Sequence, residues 1–196
     1  VKTTRLSRTV ISGAAAVILP VTLGVMAPQV LADTASTTTG PYGPACASVP
    51  EEGSGSLAGM AKDPVATAAS NNPELSTLTA AVKKAGLVDT LNNAKNITVF
   101  APSNEAFAKI PKADLDKLLA DKAQLTKVLT YHVVGEKLTQ QQLYKGSFKT
   151  LEGGTLTTAG SGDNITVNDT SKIVCGSVPT ANATVNIVDT VLMPPK

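Results

Sequence analysis

A chain of 196 residues is long enough for one domain with a sizeable core. Its 17 Lys and Arg nearly balance 15 Asp and Glu, and it has no Trp, three Phe and three Tyr. That balance excludes the cationic surface and stacking aromatics of a nucleic-acid binder and calls for an aliphatic core.

The first thirty or so residues read as a secretory leader. Lys2, Arg5 and Arg8 make a basic start, residues 10–30 are nearly uncharged and apolar, and Val30-Leu31-Ala32 puts small residues before Asp33. A membrane anchor is the other reading of such a run, but Pro20, Gly24 and Pro28 interrupt it. The predicted organisation is a signal peptide over 1–32, a flexible arm over 33–59 and one domain over 60–196, with no membrane span once the leader is removed. The leader holds three basic residues and no acidic one, so without it the net charge falls from +2 to −1.

The arm is rich in Thr, Ser, Gly and Pro, with TASTTTGPYGP and EEGSGS as its least structured parts. Such composition buries too little apolar area to offset ordering. Cys46 lies in its middle, and the only other cysteine is Cys175. In an exported chain the two read as one disulfide that tethers the arm, rather than as two free thiols. A lipid-bearing Cys46 is the alternative, disfavoured by the preceding Gly-Pro-Ala and by its distance from the apolar run.

Helix signals follow. Asp63-Pro64 and Asn72-Pro73 each pair a capping residue with proline at a first helical position. In the second helix Leu75, Leu78 and Val82 form one stripe and Gly86 ends it. Residues 97–100 are β-branched or aromatic and read as a strand, which Pro102 stops. Ser103 then caps a helix carrying Ala106, Phe107 and Ile110 on one face. Two more helices are predicted over 112–120 and 121–129, the second opened by Asp121 and Gln124 at capping-box spacing.

From Thr130 the period changes to two. Residues 131–134 read as a strand, 139–143 as a short helix with Thr139 and Gln142 at capping-box spacing, and 147–151, 155–158, 165–168, 172–175 and 184–192 as strands, with Gly153-Gly154 as a hairpin turn. Helices early and strands late predict an α+β fold.

Three stretches together resemble one known family. VFAPSNEAF, with Phe100, Pro102, Ser103, Asn104 and Phe107, is similar to the first signature of the fasciclin domain. LTYHVV, with Tyr131 and His132, resembles its central Tyr-His motif, and ATVNIVDTVLMPP, with Asp189, resembles its second signature. The runs DPVATAASNNPELSTLTAA and TVLMPP are similar to secreted immunogenic fasciclin-domain antigens of mycobacteria. The resemblance implies a twisted β wedge of about seven strands with helices packed over one side. It also implies an exported, non-enzymatic module for cell adhesion or for binding a host or matrix protein, with Tyr131 and His132 as contacts. The short Asp-Ile receptor motifs of animal members are absent; residues 112–118 read KADLDKL.

Several residue types still invite a chemical role. His132, the only histidine, has the chemistry of a general base or a metal ligand. No Gly-x-Ser-x-Gly elbow accompanies it, and no carboxylates stand at ligand spacing, so a buried, hydrogen-bonded imidazole is expected, with Asp189 as its partner or as a support to the Ser103-Asn104 corner. Asp163, Asn164, Asn168 and Asp169 suit turns better than a calcium loop. No catalytic residue, metal or cofactor is predicted.

The function expected is that of a secreted or cell-wall-associated monomer, non-enzymatic and antigenic, binding a protein or extracellular-matrix partner and no nucleic acid. Its contact surface is placed on the exposed sides of the helices over 73–85 and 112–129, at Lys112, Asp116 and Lys127. The alternative is a carrier of a small apolar ligand held between helices and sheet.

Overall fold

Alternation along one strand divides the core in two. In the computed structural model, which describes residues 40–194, β1 (Ile97–Pro102) is buried throughout. Its Ile97, Val99 and Ala101 pack in a cluster shared with the helices, while Phe100 joins a second cluster enclosed by the sheet. The predicted leader lies outside the described residues.

Six further strands complete the sheet: β2 (Val133–Val134), β3 (Lys145–Lys149), β4 (Thr155–Ser161), β5 (Asn164–Val167), β6 (Ser171–Pro179) and β7 (Ala183–Val188). They lie in the order β2-β1-β7-β6-β5-β4-β3. Only β1 and β7 run parallel, from Ile97 opposite Ala183 to Pro102 opposite Val188; the other neighbours are antiparallel. Past β3, Thr150 bridges Val134, and the Leu151 N–H donates to the Val133 carbonyl at 2.8 Å. The two sheet edges therefore nearly meet, which leaves little unpaired backbone at either. This is the α+β fold with seven strands that the sequence predicts, in the arrangement that the family resemblance implies.

The helices are α1 (Leu57–Met60), α2 (Val65–Asn71), α3 (Ser76–Ala85), α4 (Val88–Asn93), α5 (Asn104–Ala108), α6 (Lys112–Ala120), α7 (Lys122–Tyr131) and α8 (Gln140–Leu143). Their apolar stripes make the first cluster, with Leu75, Leu78, Val82, Phe107, Leu118, Leu125 and Val128 buried against β1 and β7 residues. Most predicted caps are present. Ser103 accepts from the Ala106 N–H, Asp121 from those of Ala123 and Gln124, and Thr139 with Gln142 forms a full capping box. Gly86 closes α3 at φ 76°, a conformation that glycine adopts at little cost.

Three local expectations need correction. First, Tyr131 and His132 are not in a strand. Tyr131 is the last residue of α7 and His132 its C-cap, leaving only Val133–Val134 to pair with β1. The β-rich wording of LTYHVV is overridden because Leu125, Val128 and Leu129 form a helical stripe against the sheet, and the His132 N–H closes one more turn onto the Val128 carbonyl. Second, the described part of the arm is laid against the domain. Tyr42 and Val49 are 6% and 4% exposed, a 3-10 turn spans Pro44–Ser48, and Tyr42 exchanges backbone hydrogen bonds with Gly176. Averaged composition conceals two apolar anchors and a crosslink between them. Third, α2 starts at Val65, with Pro64 as N-cap rather than first helical residue.

Candidate functional site

The end of α7 meets β1 at the Tyr-His pair, and the two side chains have separate tasks. Tyr131 enters the cluster enclosed by the sheet, beside Phe100 and Val188. Its hydroxyl donates to the Thr155 carbonyl at 2.9 Å and accepts from the Asn168 amide at 3.0 Å. Asn168 holds a turn at φ 49° and accepts the Thr157 N–H, so one phenol ties α7 to the β4–β5 hairpin.

His132 is 2% exposed. Its Nδ1 lies 2.7 Å from the Val128 carbonyl, and its Nε2 accepts the Leu192 N–H at 2.9 Å. Since Leu192 can only donate there, Nε2 carries the lone pair and Nδ1 the proton. Burial lowers the imidazole pKa to about 4, although the Val128 carbonyl favours the charged form. The ring is neutral near pH 7, and neither nitrogen is left to take a substrate proton or bind a metal.

Asp189 is not its partner. One carboxylate oxygen accepts the Lys172 N–H at 2.8 Å and the Thr190 hydroxyl at 3.1 Å; the other pairs with Lys109 at 3.1 Å. Burial raises its pKa, but the hydrogen bonds from Lys172, Lys109 and Thr190 outweigh this and hold it below the usual carboxylate range. The reason for the misplacement is that β7 ends at Val188, so the strand alternation that would aim Asp189 inward stops one residue early. Asp189 braces α5 through Lys109, while the Ser103-Asn104 corner is held by other atoms.

That corner is architectural. The buried Pro102 ends β1, and the Ser103 N–H donates to the Val188 carbonyl at 3.0 Å. Asn104 accepts from the Thr77 N–H and the Ser76 hydroxyl at 3.0 and 3.1 Å, and donates to the Pro73 carbonyl at 2.8 Å. The start of α5 is thereby clipped to the start of α3, and Phe107 buries itself among the helices.

Asn182 escapes a sequence reading. Its carbonyl accepts the Val65 N–H at 2.8 Å, and its amide reaches the carbonyls of Leu91, Asn92 and Ala94 at 2.7–3.2 Å. Asn92 accepts the Ala66 N–H at 3.0 Å, so two distant asparagines cap α2. Nothing local marks a cap supplied from 117 residues away.

Lys112, Asp116 and Lys127 are exposed on α6 and α7, and neither ion pair among the described residues includes them. Cys46 and Cys175 are bonded, with Cα atoms 4.9 Å apart. Among the described residues no group of three or more His, Cys, Asp or Glu is placed to hold a metal, and no helix is long and apolar enough to cross a membrane. Between α2, α3, α4 and β1 runs an apolar crevice lined by Ala66, Leu78, Val82, Leu91, Val99 and His132 among others. The centre of a water molecule has about 30 Å³ to move in within it, and all the space between its walls, open solvent included, comes to about 540 Å³.

Residues 73–194 match the family described as Fasciclin domain. Over 148 residues the chain is 52% identical to the cell surface glycolipoprotein MPT83 of Mycobacterium tuberculosis, a match covering 73% of this chain and 66% of that protein. It thus spans just under two thirds of that relative's length. The immunogenic protein MPT70 of the same organism is 47% identical over 161 residues, covering 78% of this chain and 82% of its own. The Synechocystis protein sll1483 is 39% identical over 129 residues, 65% of this chain and 71% of the relative. Among solved structures, a FAS1 domain pair from the insect cell adhesion molecule Fasciclin I is similar with a TM-score of 0.56 at 17% identity, over 69% of this chain and 52% of that one. That likeness concerns the fold alone.

Proposed function

Since this chain belongs to the fasciclin domain family, we propose that it is an exported, non-enzymatic module that binds a protein or extracellular-matrix partner at a cell surface. The match over residues 73–194 carries this reading. The names of its relatives, a cell surface glycolipoprotein and an immunogenic protein, support placement outside the cytoplasm and a role as antigen. The geometry agrees, because His132 has both nitrogens engaged in the core and is neutral near pH 7. The binding surface is assigned to the outer sides of α6 and α7, at Lys112, Asp116 and Lys127, acting in a monomer.

The test is saturable binding of the oxidised protein to cells and to matrix-coated surfaces. Charge reversal at Lys112, Asp116 and Lys127 together should weaken it about tenfold or more, the loss typical of several opposed charges at one contact. Undiminished binding would move the surface elsewhere; no saturable binding to any cell or matrix would overturn the function.

One observation favours a second reading. The apolar crevice between helices and sheet lies where a carrier would hold a small apolar ligand. Native mass spectrometry of protein taken from its producing cells separates the two, since a carrier retains ligand mass and an adhesive module does not.

A further inference from the structure

One hydroxyl stands unpaired in the wall of the crevice. Thr79 Oγ1, on α3, is shut off from solvent and has no hydrogen-bond partner. A threonine within a helix ordinarily returns its hydroxyl to the carbonyl four residues back, and a buried hydroxyl without a partner is costly. One turn further along α3, Lys83 lines the same crevice, with its residue exposed and in neither ion pair among the described residues. The aliphatic lining, Ala66, Val82, Leu91, Val99 and Val185, is buried, Thr79 is half-buried and Lys83 is exposed. Exposure therefore rises from alkyl to hydroxyl to ammonium. As a structural feature Lys83 is accounted for by the carboxyl end of α3, where a cation suits the helix dipole; the Thr79 hydroxyl beside it has no partner among the protein's own atoms.

We propose that this crevice takes up a single-chain carboxylic acid of the fatty-acid class. The alkyl chain lies between α2, α3 and β1, and the carboxylate accepts hydrogen bonds from Thr79 Oγ1 and Lys83 Nζ. This rests on the carrier reading and gives it a ligand. With only about 30 Å³ in which the centre of a water-sized group can sit, the crevice is narrow for an alkyl chain as it stands, so entry requires α2 and α3 to part. The wall that α2 presents is made of short side chains, Ala66, Ala69 and Ser70 beside Val65.

The oxidised full chain is titrated by NMR with lauric acid and with dodecanol, which shares the chain and lacks the charge. Lauric acid should bind saturably and shift the amides of Ala66, Thr79, Val82 and Val99. Lys83→Gln should weaken lauric acid about fivefold, the contribution of one exposed ion pair, and leave dodecanol unchanged. Thr79→Val, of similar volume, should weaken both. Equal affinity for the two probes, insensitive to Lys83→Gln, would overturn the head-group assignment while leaving a carrier of neutral ligands. Binding of neither probe would overturn the ligand and the carrier reading together, as would shifts confined to residues away from the crevice.

Discussion

His132 is buried in its neutral form, and this gives stability a pH dependence of definite sign. In the unfolded chain an imidazole titrates near 6.5, whereas in the fold its pKa is about 4. Between those values the unfolded state binds more protons, so stability falls as pH drops through that window, by roughly 3 kcal/mol in all. Urea unfolding at pH 7 and pH 4.5 measures it. His132→Ala should lose about 3 kcal/mol at pH 7, through a cavity and two abandoned backbone groups, and show a flatter profile from pH 6.5 to 4. Parallel profiles for the two proteins would remove His132 from the account. Asp189 acts in the same sense at lower pH, because its depressed pKa gives stability that is lost as pH falls below the ordinary carboxylate value. Tyr131→Phe abandons the Thr155 carbonyl and the Asn168 amide and should cost about 1–2 kcal/mol in the same assay.

At the scale of elements, α2 depends on groups it does not contain. Its first N–H groups are taken by Asn182 and Asn92, and the Asn182 amide also holds three carbonyls around the end of α4. Asn182→Ala should therefore cost about 3 kcal/mol, well above an ordinary capping substitution, since a distant cap and a loop tie are lost together. Amide hydrogen exchange should rise first in α2 and α4; a uniform rise would mean the hub is not local. The outer faces of α6 and α7 behave in the opposite way. Charge reversal at Lys112, Asp116 and Lys127 should leave unfolding within about 0.5 kcal/mol per site, so a lost binding signal there reports the surface and not the fold.

Across the whole molecule, the Cys46–Cys175 bond joins positions 129 residues apart and fastens the segment bearing Tyr42 and Val49 to β6. The chain-entropy model gives such a crosslink about 5 kcal/mol as an upper figure. Reduction should lower the thermal midpoint by roughly 10 °C. A reduced protein melting within about 2 °C of the oxidised one would show that apolar anchoring alone holds the segment. The ring of Tyr42 lies where a Cβ on Gly176 would sit, so Gly176→Ala should dislodge the same segment with the bond intact.

What the chain declares locally, it declares well. The caps at Ser103, Asp121 and Thr139, the stop at Gly86 and the stripe Leu75-Leu78-Val82 were legible because each signal acts within about four residues. The motifs around Ser103 and Tyr131 pointed to the fold family by their resemblance to its signatures, not by any local physical signal. Tertiary contact alone decided the rest. It turned Tyr131 and His132 into the end of a helix, gave His132 the Leu192 N–H instead of Asp189, made Asn182 a hub and drew the Tyr42 segment onto β6. In each case the deciding partner lies tens of residues away, and only the returning chain brings it within hydrogen-bonding distance.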